Sequence, residues 1–171
     1  VALGNKTQKK DAYTYLILGD GECNEGQIWE GAAFAAHQML NNLIAFVDLN
    51  KQQLDGACDD VLWMGDMVDK FQSFGWFVQK VNGHDIDAIV DAIAAGKAQD
   101  EKPVGWYAEV CVEVDPVQTG KPSMIILDTI KGHGCELAEN TFPCHHIKFS
   151  AEQIAPSIAK AEAVLAEVRK A

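Results

Sequence analysis

The chain has 171 residues, 48% of them hydrophobic, and a formal net charge of −11. That is the composition of one globular domain or a piece of one, long enough to bury a real core. The acidic balance excludes a nucleic-acid binder, which needs clustered Lys and Arg, and no apolar run approaches the about 18 residues of a membrane span.

The opening "VALGNKTQKKD" shows no basic stretch followed by an apolar one, so no secretory signal is visible. "VALG" reads as the end of a helix already under way, so the chain is expected to begin inside a domain. Five cysteines (Cys23, Cys58, Cys111, Cys135, Cys144) with no CxxC pair suit a reduced, cytoplasmic protein.

Tyr13–Leu18 is apolar and aromatic and predicts a buried strand. It runs into "GDGECNEG", Gly19–Gly26, three acids and three glycines. From Glu25 to Leu40 the apolar positions Ile28, Trp29, Ala32, Ala33, Ala36, Met39 and Leu40 form a helical stripe, with Asn24 as the expected N-cap. Leu43–Leu49 predicts a second buried strand. Strand, helix and strand make a right-handed βαβ unit with parallel strands.

A helix is expected over Asp66–Phe74 and a strand over Trp76–Val81. The turn "NGHD", Asn82–Asp85, leads to a helix with Ile86, Ile89, Val90 and Ile93 on one face. Glu101–Pro122 breaks the rhythm, and its period-two "WYAEVCVEV" fits an edge strand, a small hairpin or an insertion. Ser123–Thr129 predicts a strand, followed by the glycine-broken loop "IKGHGCELAEN". The last helix carries Ile154, Ile158, Ala161, Leu165 and Val168 in one stripe. It is expected to start near Pro156 rather than at Ser150, because proline suits a first turn. The class is α/β, a parallel sheet flanked by helices.

Ligands of open parallel sheets bind beyond the carboxyl ends of the strands. Asp20 and Asn50 stand at two such ends, and adjacent parallel strands would bring them together. A carboxylate, an amide oxygen and a backbone carbonyl from the loop after Asn50 form a hard-oxygen set for Mg²⁺ or Ca²⁺. Gly21 would let a backbone N–H approach an anion at a helix N-terminus. Taken alone, Gly-Asp-Gly is a common turn.

The stretch Gly19–Gly56 strongly resembles the thiamine-diphosphate motif of transketolases: GDG, then Glu25-Gly26, Glu30, and Asp48-x-Asn50 through Asp55-Gly56. The likeness continues through "FGW", "VNGHD" and "DTIKGHG" and covers nearly the whole chain apart from Glu101–Gly120. It implies a transketolase diphosphate-binding fold, incomplete at its N-terminus: one partial domain over 1–171, with 101–122 as an insertion.

The resemblance further implies that Asp20 and Asn50 ligate Mg²⁺ by side chain and Gln52 by its carbonyl, with Ca²⁺ or Mn²⁺ as substitutes. Gly19, Asp20, Gly21, Glu22, Asn50, Lys131 and His133 would bind thiamine diphosphate, the last two flanking a loop that closes over it. Glu25 and Glu30 would join a buried carboxylate network at a subunit interface, with raised pKa values suited to proton shuttling. Without the motif they read as a solvated helix face. His145 would assist proton transfer at the reacting centre. His146 stands where the family has glycine, so the histidine's place could slip by one residue. His37 and His84 read as structural. Cys135, Cys144, His145 and His146 match no familiar zinc spacing.

The implied activity is transfer of a two-carbon ketol unit between sugar phosphates, in the pentose phosphate pathway, with the cofactor as electron sink. It would need a pyrimidine-binding domain or subunit, in a homodimer or heterotetramer, and the isolated chain would be inactive. Arg169 is the only arginine, so phosphate recognition would come from elsewhere. A 1-deoxyxylulose-5-phosphate synthase, a 2-oxo-acid dehydrogenase E1 fragment and a non-catalytic binding module are the alternatives. A plain nucleotide-binding domain lacks its GxxxxGK loop.

Overall fold

The computed structural model of the protein describes residues 1–99, 120–141, 144–146 and 148–170. The elements are α1 (Ala2–Thr7), β1 (Thr14–Gly19), α2 (Gly26–His37), β2 (Leu43–Leu49), β3 (Gln52–Gln53), β4 (Gly56–Ala57), α3 (Cys58–Leu62), α4 (Met67–Ser73), β5 (Phe77–Asn82), α5 (Ile86–Ala98), β6 (Ser123–Asp128) and α6 (Ala151–Val168).

Among the described residues four strands form one parallel sheet, as the strand–helix alternation implies, and their order is β1-β2-β6-β5. The central strands are apolar on both faces, and alternate residues divide between two cores. Ala45, Val47, Met124 and Ile126 pack with Leu18, Ala32, Ala35, Phe71 and Trp76 on one side. Ile44, Phe46 and Ile125 pack with Ala92, Ile89 and Ile93 on the other. Each fully buried large side chain contributes roughly 1.5–3 kcal/mol. An aromatic cluster seals the first core: Trp29 lies 5.1 Å from Phe71, and Phe71 lies 5.7 Å from Trp76. The Trp76 indole N–H donates to the Ala32 carbonyl at 3.0 Å.

The structure corrects several expectations. Among the described residues β1 is an edge strand rather than a buried one, and Tyr15 (49%) and Ile17 (74%) are exposed on the face shared with Ile44 and Phe46. Asn24 does not cap α2. It ends a 3₁₀ turn over Gly21–Asn24, and Glu25 takes the cap position with no side-chain bond. On α2 the buried alanines are Ala32 and Ala35, with Ala33 exposed. On α5, Ile86 and Val90 are exposed while Ala92 and Gly96 are buried. The last helix starts at Ala151. Ser150 and Gln153 form a reciprocal capping box that fixes the upstream turn, and Pro156 is carried inside the helix. The apolar stripe of α6 buries none of its residues among those described.

The short helix Cys58–Leu62 and the small antiparallel pair β3–β4 leave no trace in the hydrophobic periodicity. Residues 101–119 of the irregular segment lie outside the described residues; Gly120 and Pro122, which lead into β6, are buried.

Candidate cofactor site at the strand ends

Register decides where the site falls. Gly19 pairs with Asp48, and the ladder extends one step as the Asp20 N–H donates to the Asp48 carbonyl at 3.2 Å. On the other side of β2, Leu49 pairs with Asp128, and the Thr129 N–H donates to Leu49. The three strands therefore finish level, and the loops after them wall a cavity of about 800 Å³. Its lining includes Gly19, Asp20, Gly21, Glu22, Asn50, Gln52, Lys131 and His145.

Asp20 is 3% exposed. Its Oδ1 accepts the Gly21 N–H at 2.7 Å and its Oδ2 accepts the Lys51 N–H at 2.5 Å. Burial pushes its carboxyl above the ordinary value, against the hydrogen bonds from Lys51, Gly21 and the Cys58 thiol. A buried carboxylate whose charge is held at a cost is one a cation would stabilise. Asn50 is oriented at both ends: its amide N donates to Asp48 Oδ2 at 3.1 Å and its Oδ1 accepts the Gln52 N–H at 3.0 Å. The Gln52 carbonyl faces the Lys131 ammonium at 3.3 Å.

The residues fit a divalent cation with a diphosphate. The donors are hard oxygens, and Gln52 Oε1 and Gln53 Nε2 are buried with no hydrogen-bond partner. A Cβ at position 21 would lie 2.6 Å from Gln53 Cβ, so only glycine lets the backbone pass there. Glu22 shapes the same turn, accepting the Gly19 N–H at 3.0 Å.

His133 lies outside the lining but beside it, stacked on His84 with ring centroids 3.8 Å apart and 3.7 Å from Glu139. His145 lines the cavity and meets His146 edge-on at 4.8 Å. Glu25, the cap of α2, and Glu30, on α2, are exposed and lie outside the lining.

Four lining or neighbouring residues carry work that spacing does not single out: Asp48, Thr129, His84 and Cys58. The thiols of Cys58 and Cys23 are both pushed up to about 12, by burial first and the Asp20 charge next. A signal for Asp48 is present in the D-x-N pattern, since a carboxylate two residues before an amide can orient it.

Fold and site together define a parallel α/β domain with a buried carboxylate and a glycine turn lining a cavity at the sheet's carboxyl edge. The chain belongs to the transketolase thiamine diphosphate-binding domain family, whose model matches residues 4–162. It is 39% identical over 148 residues to the 6-deoxy-6-sulfo-D-fructose transketolase subunit SqwG of Clostridium sp. (strain MSTE9), covering 86% of this chain and 47% of that one. It is 37% identical over 156 residues to a transketolase of Nostoc sp., covering 88% of this chain and 20% of that one. A transketolase from Pichia stipitis solved with sedoheptulose-7-phosphate superposes with a TM-score of 0.72 at 32% identity, over 93% of this chain and 22% of that one. The transketolase of Campylobacter jejuni, at 22% identity and a TM-score of 0.74 over 94% of this chain and 23% of that one, shares the fold. The chain spans 47% to 50% of the length of the shorter curated relatives it matches. No described helix is long and apolar enough to cross a membrane.

Proposed function

We propose that this chain holds the diphosphate and metal end of thiamine diphosphate in a cytoplasmic transketolase, and that a pyrimidine-binding domain or subunit completes the site. The observation that carries the reading is the buried Asp20 carboxylate facing the same cavity as Asn50 and the Gln52 carbonyl. Relatives named as transketolase subunits support the need for a partner, among them one for apulose-4-phosphate in Phocaeicola vulgatus.

Asp20 and Asn50 bind Mg²⁺ through side-chain oxygens and Gln52 through its carbonyl; Ca²⁺ or Mn²⁺ suits the same donors. Gly19 and Gly21 let the backbone close on the diphosphate, and Glu22 holds their turn. Lys131 and His133 place positive charge and hydrogen-bond donors at the cavity mouth. Bound thiamine diphosphate supplies the electron sink for breaking and remaking a carbon–carbon bond beside a carbonyl. His145 moves a proton at a substrate hydroxyl. Glu25 and Glu30, exposed on one chain, meet a second protomer in a homodimer or heterotetramer. The substrates are ketoses bearing phosphate or sulfonate, the anions in the relatives' names.

Reconstitution tests this. When the chain is co-purified with a pyrimidine-binding partner, ketol transfer between sugar phosphates should appear, and it should vanish with Asp20→Ala in this chain. Activity surviving Asp20→Ala would overturn the reading.

A further inference from the structure

The turn "NGHD" does more than join β5 to α5. Asn82 Oδ1 accepts the His84 N–H at 3.0 Å, and Asp85 caps α5 by accepting the Ala88 N–H at 3.1 Å. Gly83 sits against the end of β6: its N–H donates to the Asp128 carbonyl at 2.9 Å, and a Cβ there would lie 2.9 Å from Leu127 Cβ and overlap the Thr129 methyl. Three of the four residues thus fix the turn against β6 and α5. The fourth, His84, is aimed by them across the strand ends.

His84 Nε2 lies 2.8 Å from the Ile130 backbone nitrogen, and its ring stacks on His133. A backbone N–H can only donate, so Nε2 carries the lone pair and the ring proton is on Nδ1. The two contacts bracket Lys131, whose ammonium faces the Gln52 carbonyl in the cavity. Among the described residues, Ile130 and residues 132–134 are exposed, and the Asn140 and Gly134 N–H groups bond within the loop, to the Lys131 carbonyl and to Glu139.

We infer that His84 is a positioning residue for the cofactor site: it pins the segment Ile130–His133 so that Lys131 and His133 are presented at the cavity mouth. This rests on the reading of the cavity as a thiamine diphosphate site. His84 also lines the cavity, and the role assigned to it is the hold on the loop.

The test compares the full chain with His84→Phe, which keeps the stacked ring and loses the acceptor, and His84→Gln, which restores an acceptor at about the same reach. Three readouts are taken: amide hydrogen exchange at Ile130, the ¹⁵N shifts of the His84 ring, and calorimetric binding of thiamine diphosphate with Mg²⁺. Retained protection of Ala45 and Val47 shows that the variants are folded. In the wild type the His84 shifts should report a proton on Nδ1. In His84→Phe, Ile130 should exchange about fivefold faster and cofactor should bind about fivefold more weakly, with both recovering in His84→Gln. Unchanged Ile130 exchange in His84→Phe would overturn the pinning, and faster exchange with unchanged affinity would overturn the positioning role. Failure of the folded wild type to bind cofactor would instead overturn the reading of the cavity, while Ile130 exchange still reports on the pin.

Discussion

Thr129 and Asp48 end neighbouring strands, and the Thr129 hydroxyl donates to Asp48 Oδ1 while Asp48 Oδ2 accepts from Asn50. One carboxylate therefore ties the end of β6 to the amide that is proposed to meet the metal. It leaves Asn50 Oδ1, not its amide N, directed away from Asp48. Removing such a supporting partner costs about 10–100-fold in metal affinity in well-studied sites. Asp48→Ala should weaken Mg²⁺-dependent cofactor binding by about that factor while the chain stays folded, as read by calorimetry and far-UV circular dichroism. Equal affinity would mean that Asn50 is held by the Gln52 N–H alone.

Gly21 is packed against Gln53, and Gly21→Ala must displace that side chain from the cavity wall. Overpacking of this kind costs about 1–3 kcal/mol. A lower urea midpoint together with lost cofactor binding is expected. Full stability and full binding would show that Gln53 yields without consequence.

Cys58 reports on Asp20 without any cofactor present. Its thiol is raised from 9.0 to about 12, burial being the larger cause and Asp20 the next. At pH 8 that leaves roughly a thousandfold less thiolate than an ordinary cysteine has, and the thiolate is the reactive form. Alkylation of Cys58 in the native chain, followed by mass spectrometry, should be slow by about that factor. It should speed up in Asp20→Asn, where the negative charge is gone. Rapid alkylation of the native chain would contradict the placement of Cys58 beside Asp20.

Asp128 gives a pH dependence of the opposite sense to Asp20. The hydrogen bond from Lys51, at 2.6 Å, holds its carboxyl below the ordinary 3.8, with Lys80 adding to the effect. A lowered folded value contributes stability above the unfolded pKa and loses it as pH falls through the folded one. The carboxylate is 40% exposed, so solvent screening keeps the contribution to a few tenths of a kcal/mol. The gap in urea midpoint between wild type and Asp128→Asn should be measurable near neutral pH and close as pH is lowered toward about 3. A gap independent of pH would assign it to packing.

The parallel direction of the strands and the Asp20–Asn50 edge are legible in the sequence because short apolar runs bounded by glycine and acids have few other readings. β2 can be read to the residue, Leu43–Leu49. What escapes depends on partners distant in sequence. β1 looks like a buried strand by composition, yet only position in the sheet decides that Ile17 lies at an edge. His84 looks like a turn residue, because nothing in "NGHD" shows a reach of 46 positions to Ile130. Pro156 suggests a late start for α6, and the Ser150–Gln153 box, visible as S-x-x-Q, carries more weight. The proposed role of Glu25 and Glu30 rests on family likeness, since both are exposed on the described surface.

The most direct test of the central claim is calorimetric titration of thiamine diphosphate into the purified chain, with and without Mg²⁺, repeated on Asp20→Ala. Binding that requires Mg²⁺ and disappears in Asp20→Ala is the expected result. Absence of heat at millimolar cofactor from the folded chain, or binding that survives Asp20→Ala, would contradict the claim.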